Sequence, residues 1–154
     1  MRVFLGSDHG GFALKEFLKE KLGKKHEIKD LGCSTGESCD YPEFGKKVAE
    51  LVAKSNGKAL GILCCGTGIG MSLAANKVKG ARAALVYDDF TAKMARQHNN
   101  ANIACLGGRC TDNETALKLA ETFLTTPFSG EQKGGERHLR RVEKIMEIEK
   151  RYFK

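Results

Sequence analysis

The chain predicts an α/β fold: one doubly wound, Rossmann-like domain with a five-stranded parallel sheet and an extra C-terminal helix. Short apolar runs alternate with stretches whose apolar residues recur at helical spacing. The alternation continues as βαβαβαβαβα, an order that implies parallel strands joined by right-handed crossovers. The third run, Ala59–Cys64, is apolar at almost every position, as a strand covered on both faces must be.

Each element has its own justification. Val3–Ser7 is a short apolar strand, and Leu14, Phe17, Leu18 and Leu22 then share one face of a helix beginning near Phe12 that Gly23 closes. Glu27–Leu31 reads as the second strand. Pro42 opens a helix that turns Phe44, Val48, Leu51 and Val52 inward. After Ala59–Cys64, glycines at 66, 68 and 70 make a turn into a helix carrying Met71, Leu73 and Ala74. Ala83–Val86 is the fourth strand, Asp88-Asp89 starts a helix running to about His98, and Asn102–Leu106 is the fifth strand. Thr111-Asp112-Asn113-Glu114 has the spacing of a capping box for a helix with Leu117, Ala120, Phe123 and Leu124 inside. A polar loop at 129–135 precedes a final helix from about Glu136 to Arg151.

Composition narrows the function classes. At 154 residues, residues 1–154 suit a single domain with a substantial core. No apolar stretch approaches bilayer length, and Met1-Arg2 leads straight into a strand, so neither a membrane span nor a signal peptide is expected and the location is read as cytoplasmic. The six cysteines, Cys33, Cys39, Cys64, Cys65, Cys105 and Cys110, lack CxxC spacing; reduced thiols and no metal site are the reading. Cys64 and Cys65, adjacent on a strand, point to opposite faces. The net charge of +7 suits nucleic acid or a small anion. Aromatic–basic interleaving is absent, which weakens the nucleic-acid reading, and most Lys/Glu mixing reads as solvated helix faces.

Leu60–Met71 concentrates the chemistry. A thiol, Cys65, ends a strand beside bare backbone N–H groups at a helix start. Such groups attract anions and can draw a cysteine pKa from about 8.5 into roughly 3.5–7.5. The Gly66-x-Gly68-x-Gly70 spacing is neither a Walker loop nor the dinucleotide fingerprint. A buried strand-end cysteine can also be a plain core residue. Ser7-Asp8-His9-Gly10-Gly11 and Gly107-Gly108-Arg109 also fall at strand ends, where ligands bind in such folds, so the topology places three loaded segments on one rim.

Taken together, Ser7-Asp8-His9-Gly10, Asp40-Tyr41-Pro42, Cys65–Gly70, Ala74-Ala75-Asn76-Lys77, Arg96–Asn102 and Gly134–His138 with Arg141 resemble the B-type ribose-5-phosphate isomerases. That family also includes isomerases of galactose 6-phosphate and allose 6-phosphate. The resemblance implies metal-free, cofactor-free aldose–ketose isomerisation through an enediolate. It assigns Cys65 as the base, Thr67 as a proton relay between the two oxygens and His98 as the ring-opening acid–base group. The backbone of Gly66, Gly68, Ile69 and Gly70 would hold the oxyanion. Arg137 and Arg141, four apart on one helix face, would hold the phosphate with His9 and Arg109. Asn99 would bind a sugar hydroxyl, and Asp8 would contact the sugar or orient a neighbour; on local pattern alone Asp8 is equally an N-cap. His138 matches the family and receives no role, and His26 reads as exposed. Family members are homodimers or tetramers with shared active sites, which makes the C-terminal helix a candidate to reach a partner.

The chain departs from the family pattern in a longer 129–135 segment and in Cys64, where an aliphatic residue is usual. The Arg96-Gln97-His98-Asn99 stretch favours the ribose type over the galactose branch. A six-carbon substrate, a non-catalytic phosphate-binding module and a thiol redox protein are the competing readings.

Overall fold

The computed structural model describes residues 1–153. Its strands are β1 (Arg2–Ser7), β2 (Glu27–Asp30), β3 (Ala59–Cys65), β4 (Ala83–Leu85) and β5 (Ile103–Gly107). They form one five-stranded sheet in the order β2-β1-β3-β5-β4, with every pairing parallel. The helices are α1 (Phe12–Leu22), α2 (Tyr41–Lys54), α3 (Ile69–Ala75), α4 (Asp89–Gln97), α5 (Asn113–Thr125) and α6 (Glu136–Tyr152). Element order and type follow the sequence reading, with ends shifted by a residue or so: Leu31 and Val86 fall outside their strands, and Cys65 and Gly107 fall inside theirs.

The two faces of the sheet carry two cores. On one, Val3, Leu5, Ile62, Cys64, Ala104 and Leu106 pack against α1, α4 and α5 through Leu14, Leu18, Ala92, Leu119 and Phe123. On the other, Phe4, Leu63, Cys65, Ile103 and Cys105 pack against α2 and α3 through Val48, Val52, Met71 and Ala75. Cys64 and Cys65 thus face opposite ways, as strand pleating requires. β3, at the sheet centre, is buried along its whole length, whereas the edge strand β2 is not.

Local details correct the sequence reading at three places. The capping residue of α5 is Asp112, whose carboxylate accepts from Thr115 N–H at 2.9 Å; the Thr111–Glu114 box does not form because the helix starts one residue later. Asp8 caps a short 3₁₀ turn, His9–Gly11, ahead of α1 rather than α1 itself, accepting from Gly11 N–H at 3.0 Å. His26 is half-buried, not exposed, and its Nδ1 has no hydrogen-bond partner.

The expectation of solvated Lys/Glu faces also fails at one residue. Lys15, on α1, is 1% exposed and ion-paired to Asp30 at 2.7 Å and Glu16 at 2.6 Å. Lys19 completes the cluster at 2.9 Å from Asp30. This network ties the end of β2 to α1 and thereby anchors the start of the 31–40 loop, which crosses the C-terminal rim.

Candidate active site

The C-terminal rim brings together the three segments expected there. The 3₁₀ turn after β1 is pressed onto β3: an added Cβ at Gly11 would collide with the Cys64 carbonyl, so only glycine allows this approach. Asp8 N–H reaches Cys64 O at 3.3 Å. The segment after β5 closes the other side, with Gly108 N–H donating to Cys65 O at 2.8 Å and Arg109 N–H to Gly66 O at 2.9 Å. Strand pairing thus sets Asp8, His9, Cys65, Gly66, Thr67 and Arg109 around one point.

At that point the Cys65 sulfur accepts a hydrogen bond from Gly68 N–H at 3.1 Å. Gly68 sits at φ +80°, which turns its amide back toward the strand end. Ile69 N–H points to Thr67 Oγ1 at 3.4 Å. Two of the amides expected to hold an oxyanion are therefore engaged locally, one on the thiol and one on the hydroxyl. The first turn of α3 leaves further N–H groups without intrahelical acceptors, Gly70 among them. Thr67 and Arg109 are exposed, Asp8 is buried, and His9 is half-buried.

The 31–40 loop supplies the remaining wall. Cys39 N–H donates to His9 Nδ1 at 3.3 Å, so a neutral His9 ring carries its proton on Nε2. Tyr41, in the motif Asp40-Tyr41-Pro42, lays its ring over Gly70, with Cε2 2.9 Å from where a Cβ would stand. Sequence spacing alone says nothing of this contact, because it joins the start of one helix to the start of another.

The other candidate residues lie elsewhere in the chain. α4 leaves the C-terminal end of β4 and runs back antiparallel to the strands, so His98, its C-cap residue, and Asn99 sit at the N-terminal edge of the sheet. That is roughly a strand length, about 13 Å, from the Cys65 rim. The His98 ring stacks on His138 of α6, with centroids 4.1 Å apart and planes 7° from parallel. Arg137 Nε donates to His138 Nε2 at 3.3 Å. Burial lowers the His138 pKa first, and the charges of His98, Arg137 and Arg141 lower it further. Sequence reasoning assigns His138 no chemistry; in the structure it lies with Val142 on the buried side of α6, one residue after Arg137. Arg137 and Arg141 are exposed. One chain thus carries the candidate residues in two groups on opposite rims: thiol, glycine turn, Asp8, His9 and Arg109 on one, and His98, Asn99, Arg137 and Arg141 on the other.

The remaining thiols have different surroundings. Burial pushes the Cys64 and Cys105 thiols upward, so both stay protonated and apolar in the core. Among the described residues no group of three or more His, Cys, Asp or Glu is placed to hold a metal ion.

The chain is similar to known proteins over nearly its whole length. The profile of the Ribose/Galactose Isomerase family matches residues 3–145. The probable ribose-5-phosphate isomerase B of Mycoplasma genitalium is 45% identical over 150 residues, covering 96% of this chain and 95% of that protein. The ribose-5-phosphate isomerase B of Mycobacterium tuberculosis is 41% identical over 152 residues, covering 97% and 91%. Among solved structures, ribose-5-phosphate isomerase B of Clostridium thermocellum superposes with a TM-score of 0.92 at 46% identity, covering 99% of both chains. The M. genitalium enzyme solved with bound ribulose-5-phosphate superposes with a TM-score of 0.90 at 44% identity, covering 97% of this chain and 96% of that one. With a family match over nearly its whole length and a thiol–glycine rim at its strand ends, the chain belongs to the ribose/galactose isomerase family.

Proposed function

We propose that this chain interconverts D-ribose 5-phosphate and D-ribulose 5-phosphate without a metal or cofactor, as an enzyme of the pentose phosphate pathway working in the cytoplasm. The observation that carries the reading is the Cys65 sulfur held against the Gly68 amide on a rim shared with Asp8, His9 and Arg109. The similarity to an enzyme solved with ribulose-5-phosphate supports the choice of sugar.

The chemistry follows from the groups present. The sugar first opens, which needs an acid–base group at the ring oxygen; in this reading His98 is that group. Cys65 then removes the proton on C2, and the electron pair moves onto the C1 carbonyl oxygen to give the enediolate. Amides of the glycine turn face the developing negative charge. Thr67 passes the O2 hydroxyl proton to O1, and Cys65 returns its proton to C1, leaving the ketone at C2. Arg137, Arg141, His9 and Arg109 hold the phosphate, Asn99 a hydroxyl, and Asp8 the sugar or the turn beside it.

Because His98, Asn99, Arg137 and Arg141 stand on the opposite rim from Cys65, this assignment requires a second copy of the chain. A homodimer is the minimal active unit in this reading, its sites built from the thiol rim of one protomer and the histidine rim of the other. The surface supports it: Ile145 at 44%, Ile148 at 61% and Tyr152 at 71% exposure share one face of α6, while Leu73, Tyr87 and Phe90 are also uncovered. Apolar patches of that kind mark association surfaces.

The test is turnover of ribose 5-phosphate by wild type, Cys65→Ala and Cys65→Ser with a chelator present. Wild type is expected to keep its activity, and both variants to lose on the order of 100-fold or more in kcat, as removal of a general base does. Near-wild-type turnover by either variant would remove Cys65 from the role of base.

A further inference from the structure

Arg82 precedes β4 and Arg96 lies in the last turn of α4, both half-buried at the N-terminal edge of the sheet. Neither has a carboxylate within 4.0 Å among the described residues. The guanidiniums instead cap main-chain oxygens: Arg82 Nε donates to Asn100 O at 2.8 Å, and Arg96 donates to Thr126 O, Ala101 O and the Asn100 side chain. The nearby carboxylate of Glu149 is engaged with Gly80 N–H at 2.7 Å. Burial lowers the pKa of both arginines; the charge of Glu149 offsets part of this for Arg82, and the Arg82 charge lowers that of Arg96 further. Two like charges are held here against solvation and against each other.

Between them is a cavity of about 280 Å³. Its apolar wall is Val52, Ala53, Ala59 and Leu60, and Asn56 with Gly57 stand at the end of α2. Its polar wall is short of acceptors. Asn102 Oδ1 is taken by Arg82 N–H at 2.7 Å and Asn100 Oδ1 by Arg96 Nη1 at 3.1 Å. The Nη2 groups of both arginines have no protein acceptor among the described residues. A half-buried site with surplus donors and two positive charges against one nearby carboxylate, Glu149, which forms no ion pair with either, calls for an anion, and guanidinium pairs match tetrahedral oxyanions best.

We propose that the cavity between Arg82 and Arg96 is a second anion site, taking one inorganic oxyanion of the phosphate or sulfate type on the rim opposite Cys65. It shares no residue with the phosphate-holding set of Arg137, Arg141, His9 and Arg109, and it does not depend on the isomerase assignment. A bound dianion would accept from both Nη2 groups and cancel the repulsion between the guanidiniums. The same arginines hold Asn100, which sits at φ +46° directly after His98-Asn99, so occupancy also stiffens that turn.

Inorganic phosphate titrated calorimetrically into the Arg137→Ala/Arg141→Ala double variant tests this. One equivalent is expected to bind, at least tenfold more weakly once Arg82→Gln is added. Asn56→Asp tests the same wall without touching an arginine: its residue is exposed, its backbone at φ +51° suits aspartate, and its charge should weaken phosphate several-fold. Loss of all phosphate binding in the double variant, or binding unchanged by both added substitutions, would overturn the proposal. Should Arg82→Gln fail to fold by circular dichroism, wild-type crystals soaked in selenate decide. An anomalous peak between Arg82 and Arg96 supports the site, and a cavity empty of selenate sinks it.

Discussion

At Gly68 a left-handed backbone, φ +80°, aims an amide at the Cys65 sulfur, and the added Cβ of any other residue would stand 2.7 Å from Leu85 Cδ1. The turn that shapes the site is therefore a glycine turn for both conformational and steric reasons. Single residues also set the response to acid. Burial lowers the pKa of His138, helped by His98, Arg137 and Arg141. Burial likewise lowers that of His26, helped by the amino terminus and Lys25. For a lowered pKa the folded chain binds fewer protons than the unfolded chain, so the stabilising contribution is complete above the unfolded value of about 6.5 and is lost as pH falls through the folded values. Urea midpoints should therefore decline from about pH 7.5 to about pH 5, and His138→Gln should flatten part of that decline. An identical slope in the variant would show that His138 takes up its proton equally in the folded and unfolded states.

Elements are held by groups that binary patterning misplaces. Lys15 falls beside Leu14 on α1, yet its ammonium is sealed between Glu16 and Asp30 where α1 crosses the end of β2. Burial raises the Asp30 pKa, but hydrogen bonds from Lys15, Lys19 and Gly32 outweigh it and leave the carboxyl below its usual range. Asp30→Asn should cost about 3 kcal/mol in equilibrium unfolding, because it strips a partner from a buried charge, while Lys15→Met should cost clearly less. If the two variants are equally stable, the ion pair is not what fixes the β2 end. Helix starts were only partly legible for a related reason. Thr111 and Glu114 satisfy a capping spacing, but Asp112 lies closer to the first free amides and captures Thr115 N–H.

For the whole molecule, strand order decides what one chain can do alone. Strands ending at Ser7, Cys65 and Gly107 lie side by side, so their loops converge. An α/β crossover returns each helix to the opposite edge, so a residue at the end of α4 can never face a residue at the end of β3 within one protomer. A shared site makes a quantitative prediction. Cys65→Ala and His98→Ala chains, each inactive alone, should regain about a quarter of wild-type activity when mixed and allowed to exchange subunits, since half the dimers then hold one intact site of two. Assay after partial denaturation and refolding of the mixture measures this. No recovery, with exchange verified by mass, would place both groups in one chain's site and contradict the two-rim arrangement.

Sequence by itself determined the alternation of strands and helices, the buried central strand, the glycine turn behind Cys65 and the convergence of three loops on one rim. These are local or periodic properties: hydrophobic period, glycine spacing and chain order need no distant neighbour to be read. Tertiary structure alone decided that β5 inserts between β3 and β4, that Lys15 is buried, that Tyr41 covers Gly70 and that His98 stacks on His138. Each of those depends on which surfaces meet when residues far apart in the chain are packed, and period and spacing carry no information about that meeting.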